Sequence, residues 1–480
     1  MTADAGTSAR NKLVIGLLLV STFVVILNET ILGVALPHLM ISLDIPASSA
    51  QWLSTVFMLT MAVVIPITGF LLQRFNTRPI FIAAMTFFSV GTLIAALAPG
   101  FEVLLIARVV QACGTAIMLP LLMTTVMTLV PATSRGRTMG NISIVISVAP
   151  AIGPTISGVI LSALDWRWMF LLVLPIAVAA LVLGAVRVKN VTTPEPTKFD
   201  VLSVILSAFG FGGLVYGLSN LGTATPGQIV MIGWMPIGVG VVALVLFVLR
   251  QLSLQKRDEA LLDLRTFTSP TFTFSIVMLT VSMMAFFGTI IILPIFMQTV
   301  LGIGPLETGL LLLPGGLIMG LLSPIVGRFY DKHGPTALLV TGAVITSVVL
   351  SLMTLMNQHT TFWWILAAHV SLSIGLALLF TPLFTASLGS LKPHLYSHGS
   401  AVVGTIQQVA GAAGTALLVT VMSAQKTQLV AQGQSQIAAT AGGIHSAFLY
   451  AAVISVLAIP AAFFVRRPAD SPDGPAPMAH

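Results

Sequence analysis

A glutamate stands alone in the first apolar run of the chain, and its setting is the strongest chemical signal in the sequence. Between Leu13 and Ile41, Glu29 is the only residue with a formal charge, inside Leu27-Asn28-Glu29-Thr30-Ile31-Leu32-Gly33-Val34-Ala35-Leu36-Pro37. A carboxylate in hydrocarbon costs about 2.5–3.5 kcal/mol on insertion scales, so it belongs against protein or water. So placed, it can bind and release a proton within a membrane or attract a cation. The second buried charge is Arg108, within Leu104–Gln111. At about 1.5 Å per helical residue, Arg108 lies roughly 8 Å from its span's end and Glu29 roughly 12 Å from Pro37. Two opposite charges at comparable depth are expected within reach of one another, directly or through water, with Arg108 tuning the acid. The plainer alternatives are a Glu29 that snorkels to the surface and an ion pair that only fixes helix packing.

The elements that must hold these side chains are membrane spans. The chain has 480 residues, 56% hydrophobic and only 7% charged, where a soluble domain carries roughly a quarter charged residues. Apolar runs long enough to cross a bilayer recur almost throughout, which excludes a soluble fold and predicts an all-α integral membrane protein of fourteen spans. All but three of the 21 Lys and Arg fall in segments that face one side when the N-terminus is placed in the cytoplasm. Arg167 and Lys426 face the other side and Arg108 lies within a span, so the positive-inside rule puts both termini in the cytoplasm. Arg10 and Lys12 precede the first run as in a signal peptide, but its length and the lack of a cleavage site argue for a retained helix.

The runs divide the chain into a tail at 1–12, a six-helix half at 13–190, a two-helix insertion at 200–250, a second six-helix half at 270–465 and a tail at 466–480. A repeat supports the division. Gly69, Gln73, Arg74 and Arg78 follow the second span, and Gly327, Asp331, Lys332 and Gly334 follow the tenth. Each set places a glycine, then a polar or acidic residue four positions on, then a cation, in a short loop on the basic side. Two such loops six helices apart imply duplicated halves related by an axis along the membrane normal.

The fifth span carries Ala149-Pro150-Ala151-Ile152-Gly153-Pro154-Thr155-Ile156-Ser157-Gly158. Ala149, Gly153 and Ser157 recur every four residues, a face on which another helix can come close. Pro150 and Pro154 each remove an intrahelical hydrogen bond and favour bending. The thirteenth span offers Gly404, Gly411 and Gly414 with Gln407 and Gln408 among them. Asn28, Gln111, Gln407 and Gln408 are candidate polar contacts for a substrate, and Trp52, Phe57, Met58 and Met61 a candidate adaptable apolar wall.

Taken together, these residues resemble the major facilitator superfamily, and within it the fourteen-helix drug:proton antiporters of the EmrB/QacA type, nearest to the lincomycin-resistance exporters. The likeness runs over nearly the whole chain: the first-helix signature at Leu27–Pro37, the loop at Gly69–Arg78, the Arg motif at Arg108–Gly114, the antiporter motif at Gly153, Pro154 and Gly158, and Trp166-Arg167-Trp168. The resemblance implies two pseudo-symmetric six-helix halves with two extra helices between them, and export of amphipathic drugs in exchange for protons across a bacterial cytoplasmic membrane. Many members have Asp where this chain has Asn28, and here the acid comes one residue later. Glu29 and Arg108 are then the expected coupling pair, and small amphipathic compounds, protons and lipid the expected partners. The expected energy source is the proton gradient, with no cofactor, metal or nucleic acid. No Gly-x-x-x-x-Gly-Lys-Ser/Thr loop offers a nucleotide site. A dedicated exporter of one metabolite or self-made antibiotic is the nearest alternative. A membrane-embedded enzyme or structural protein is more remote, because Cys113 is single and the eight histidines are scattered.

Overall fold

The computed structural model describes residues 2–190, 194, 199–221 and 227–467. Fourteen helices are long and apolar enough to cross a membrane. In order they are α1 (Thr2–Ser42), α2 (Ala47–Arg74), α3 (Thr77–Ala96), α4 (Phe101–Leu129), α5 (Arg135–Ala163), α6 (Trp168–Arg187), α7 (Val201–Leu221), α8 (Met235–Leu254), α9 (Pro270–Ile295), α10 (Pro305–His333), α11 (Thr336–Met353), α12 (Phe362–Gly389), α13 (Tyr396–Ala431) and α14 (Gln436–Val456). Helices satisfy their own backbone groups, and continuous apolar sequence leaves no water-facing stripe to break that regularity. The expected tail at 466–480 lies outside the described residues from position 468 onward.

Helices α1 to α6 form one bundle, in which α1 packs on α4, α5 and α6 while α3 packs on α4 and α6. Helices α9 to α14 form a second, with α9 on α12 and α13, and α11 on α12 and α14. The bundles meet along two seams, α5 against α10 and α2 against α13. Small residues make the first seam tight. Gly136 and Gly327 face each other with backbone in contact, so a Cβ on Gly136 would lie 2.5 Å from the Gly327 carbonyl oxygen, and a Cβ on Gly140 would lie 2.5 Å from that of Ser323. Gly316 and Gly320 leave room for Ala151 and Val148 further along the same pair.

Hydrogen bonds join the two bundles between mid-depth and the face that carries the basic loops. Asp331 at the end of α10 accepts from the backbone N–H groups of Gly136 (2.7 Å) and Arg137 (2.9 Å) at the start of α5. A carboxylate there occupies the favourable, positive end of a helix dipole. Thr381 bonds Ser143 at 2.9 Å and Thr124 bonds Ser400 at 3.1 Å. The contact nearest the middle is Gln408 Nε2 to Met61 Sδ, at 3.8 Å. Hydrogen bonds therefore fasten the bundles at the basic face.

The inserted pair is held as a hairpin, and it covers one seam only. Gly210, Gly213 and Gly217 of α7 admit α8 at backbone distance, as a Cβ on Gly213 would lie 2.8 Å from the Pro236 carbonyl oxygen. The other side of α7 packs on α2 and α13, while Val242, Val245 and Leu249 of α8 face outward. Asp200, just before α7, is gripped at both oxygens by Arg250, each at 2.7 Å. Those bonds, with further ones from Ser203, hold the Asp200 carboxyl down at about 2 although burial acts the other way. Gln251 ties the same end to Ser203 and to the Leu262 backbone.

Because Asp200 titrates below the ordinary carboxylate value of about 4, its contribution to stability is complete above that pH and is lost as the pH falls through about 2. Asp200→Asn is expected to lower the thermal unfolding temperature of the purified protein at pH 7, with the difference from wild type shrinking as acid is added. A difference that does not change between pH 7 and strong acid would show that the ion pair is not its source.

Candidate functional site

Arg108 is the centre of the candidate site, 1% exposed in the middle of the first bundle. Its Nη1 donates to Gln111 Oε1 at 3.0 Å and, at 3.5 Å, to Asn28 Oδ1, while Nε donates to the Leu53 carbonyl at 3.4 Å. The guanidinium also lies 3.9 Å from the centre of the Phe57 ring. Gln111 passes the network on to Thr92 of α3 at 2.9 Å. Gly91 makes that possible, since a Cβ there would meet the Gln111 backbone nitrogen at 2.6 Å. A buried guanidinium is costly unless its donors find partners, and here Nε and Nη1 meet neutral acceptors while a ring face covers the group.

Of the expected pairing, the direct bond is absent. Asn28 bonds Arg108; Glu29 does not, and no ion pair among the described residues joins the two. The reason is rotation: successive helical residues lie about 100° apart, so with Asn28 aimed at α4, Glu29 points into the next sector. Thr30 points a further step round, to α5, where its hydroxyl bonds the Leu27 carbonyl at 3.0 Å and approaches that of Ala149 at 3.4 Å. Glu29 is half-buried between these directions with its carboxylate unbonded among the described residues, and the charge of Arg108 acts on it across the gap. The same geometry places the other candidates. Asn28, Phe57 and Gln111 each contact Arg108. Trp52 is partly exposed and rests on Tyr216 of α7, with ring centres 5.7 Å apart. Met58 packs beside Ala62, Val215 and Ala412, and Gln408 and Met61 belong to the seam. Gln407 keeps a buried Nε2 with no hydrogen-bond partner among the described residues.

In α5, Ala149 and Gly153 face α1. A Cβ on Gly153 would collide with the Thr30 hydroxyl and lie 2.9 Å from the Thr30 Cβ. Ser157 turns to Met169 of α6, at 3.5 Å. Gly158 does not belong to the contact: it is exposed, and a Cβ added there would meet nothing within 4 Å. Five residues past Gly153 it has rotated about 140° to another face. Pro150 is half-buried in a helix that runs unbroken from Arg135 to Ala163, and the side chain of Pro154 lies outside the described residues.

At the basic face the two loop motifs occupy matching places. Asp331 caps α5, and Gln73 Oε1 accepts from His398 Nε2 at the start of α13, at 3.0 Å. Gly69 and Gly327 are the glycines one turn earlier that let each pair of helices approach. Gly334 ends α10 at φ +81°, a conformation that favours glycine. Arg74 and Lys332 are exposed, and the Arg78 backbone N–H donates to Asn190 at 3.2 Å. Sequence reasoning missed His398, Ser143, Thr381, Thr124 and Ser400. Their signal was present as polar residues in otherwise apolar spans, each needing a buried partner.

The Major Facilitator Superfamily profile matches residues 18–415. The uncharacterized MFS-type transporter YcnB of Bacillus subtilis is 42% identical over 458 residues, covering 95% of each chain. The lincomycin resistance protein LmrB of Listeria monocytogenes is 40% identical over 470 residues, covering 97% of this chain and 99% of that one. Among solved structures, the human organic anion transporter MFSD10 (TETRAN) aligns with a TM-score of 0.69 over 94% of this chain and 99% of its own, at 12% identity, a likeness of fold.

The α1–α5 contact separates two substitutions that look alike in the sequence. Gly153→Leu is expected to leave the protein inserted but to reduce its transport at least about tenfold, by wedging Thr30 away from α5. Gly158→Leu should be close to neutral. Transport assays at matched membrane expression check both, and equal effects at the two positions would remove the Thr30 contact from the explanation.

Proposed function

The chain belongs to the major facilitator superfamily, and on that premise we propose that it is a proton-coupled exporter of amphipathic, drug-like compounds, lincosamides among them. The observation that carries the reading is the carboxylate of Glu29, unpaired among the described residues, near a cation whose Nε and Nη1 already bond neutral acceptors. Such an acid is free to exchange its proton for a substrate. The similarity to proteins named for lincomycin resistance supports the substrate class. The basic loops are assigned to the cytoplasm, with both termini, by the positive-inside rule.

The cycle follows from charge and contact. With the bundles fastened at the basic face, Glu29 is reached from the opposite side, where a proton binds and displaces a cationic or hydrogen-bonding substrate outward. Neutralising Glu29 removes its attraction to Arg108, and with it part of what holds α1 against its neighbours. Thr30 and Gly153 transmit that change to α5, the helix whose start is capped by Asp331 from the other bundle. Release of the Asp331 and Gln73 contacts opens the basic face, the proton leaves, and the ionised carboxylate accepts the next substrate.

Glu29→Gln keeps the size and polarity of the protonated acid but cannot lose a proton. It is expected to abolish uphill export while retaining downhill equilibration, and to abolish the proton release that lincomycin or a cationic dye provokes in energised everted vesicles. Full proton-driven accumulation by Glu29→Gln would exclude this mechanism.

A further inference from the structure

The second bundle holds a buried titratable side chain that the mechanism above does not use. His369 lies on α12 about 10 Å from that helix's first residue, at 1.5 Å per residue, and is half-buried. Its Nε2 is 3.2 Å from the Leu312 carbonyl of α10. A carbonyl can only accept, so Nε2 carries the hydrogen and Nδ1 is left with a lone pair. That Nδ1 is fully buried and has no hydrogen-bond partner among the described residues. Native proteins rarely leave such a group unfilled without a reason.

The position is not arbitrary. His369 stands in the second bundle where Arg108 stands in the first: the same 261 positions separate Arg108 from His369, Gly114 from Gly375, and Gly153 from Gly414. The glycines confirm the register in space. Gly114 admits α3 and Gly375 admits α11, while Gly153 admits α1 and Gly414 admits α9. Where Arg108 bonds three neutral acceptors, its counterpart has an acceptor without a partner among the described residues.

The imidazole also touches the moving parts. A Cβ on Gly315 of α10 would lie 2.5 Å from the His369 ring, so the ring fits the notch that this glycine leaves, next to Ser373. The next residue, Gly316, leaves room for Ala151 of α5, and two positions on, Gly153 meets Thr30 beside Glu29. The Leu312 carbonyl bonds the ring and the Ser373 hydroxyl lies beside it, and among the described residues no ionised side chain of α5, α9, α10, α11 or α13 faces it. Glu307, on α10, is exposed about a turn and a half nearer the opposite face.

We propose that His369 is a second proton-binding site, in the second bundle, whose occupancy biases the α5–α10 seam in concert with Glu29. The proton comes from water on the opposite face and adds to the Nδ1 lone pair, while the Nε2–H bond to Leu312 is kept. The product is an imidazolium with no counter-charge beside it, which favours a conformation that wets the site or moves α10. Return of the proton to water at the basic face restores the neutral ring. The role in transport rests on the proton-coupled reading above; the protonation itself does not.

The two parts are tested separately. In protein with isotope-labelled histidine in bilayer nanodiscs, the nitrogen resonances assigned to residue 369 through His369→Gln are expected to pass from the neutral Nε2–H form to imidazolium as the pH is lowered from about 8 to about 3. A ring that stays neutral across that range overturns the proposal, whether or not lincomycin is carried. In proteoliposomes with an imposed proton gradient, His369→Gln keeps a donor for Leu312 but should move one proton fewer per lincomycin. One pH unit then sustains a limiting lincomycin gradient about tenfold smaller than in wild type. Equal limiting gradients overturn the coupling role. If His369→Gln does not insert, His369→Asn carries the same comparison. If wild type carries no lincomycin at all, it is the transport reading that fails, and the resonances alone decide the site.

Discussion

The constraint on which the rest depends is that a charge inside a membrane protein must be satisfied, and Arg108 is satisfied without an anion. Asn28, Gln111, the Leu53 carbonyl and the Phe57 ring surround the guanidinium. A carboxylate at position 28 would have closed a buried ion pair, stable and chemically spent. With a neutral amide there and the acid one residue later, the positive field remains but the acid is not consumed by it. The cluster also fixes α1, α2, α3 and α4 to one another, since its members come from all four.

The seams show the same economy in another form. Backbone meets backbone at Gly136 and Gly327, and the hydrogen bonds that fasten the bundles end on an N–H pair and on hydroxyls. The longer side chains Gln73 with His398 and Gln408 with Met61 add two further contacts between the bundles. Asp331 holds a helix terminus rather than a single counter-ion, so its energy is spread over two donors and a dipole.

The existence of the site was legible in the sequence because apolar spans make any charge conspicuous; Glu29 and Arg108 needed no structure to be noticed. What the sequence could not give was azimuth. Whether residue 28 or 29 meets Arg108, and whether Gly153 or Gly158 meets α1, turns on rotations of about 100° and 140° that depend on how each helix is set against its neighbours. Trp52 illustrates a different limit, since its partner Tyr216 belongs to the inserted hairpin, whose docking no local pattern announces. His369 was passed over because the histidines look scattered along the chain. The regular spacing that matches it to Arg108 was readable all along, but its meaning needed the two bundles side by side.

The inserted hairpin breaks the symmetry that the duplicated halves would otherwise have. Helix α7 lies on α2 and α13, so that seam is sheathed by protein, whereas along α10 beside the other seam Leu321, Ile325 and Phe329 face outward. Parting the sheathed seam means shearing a third layer of packed side chains; parting the bare one means admitting acyl chains. The two seams are therefore unequal, one covered by the hairpin and the other bordered by an exposed apolar face of α10. A machine built from two equal halves thereby acquires a spine on one side and a mouth on the other.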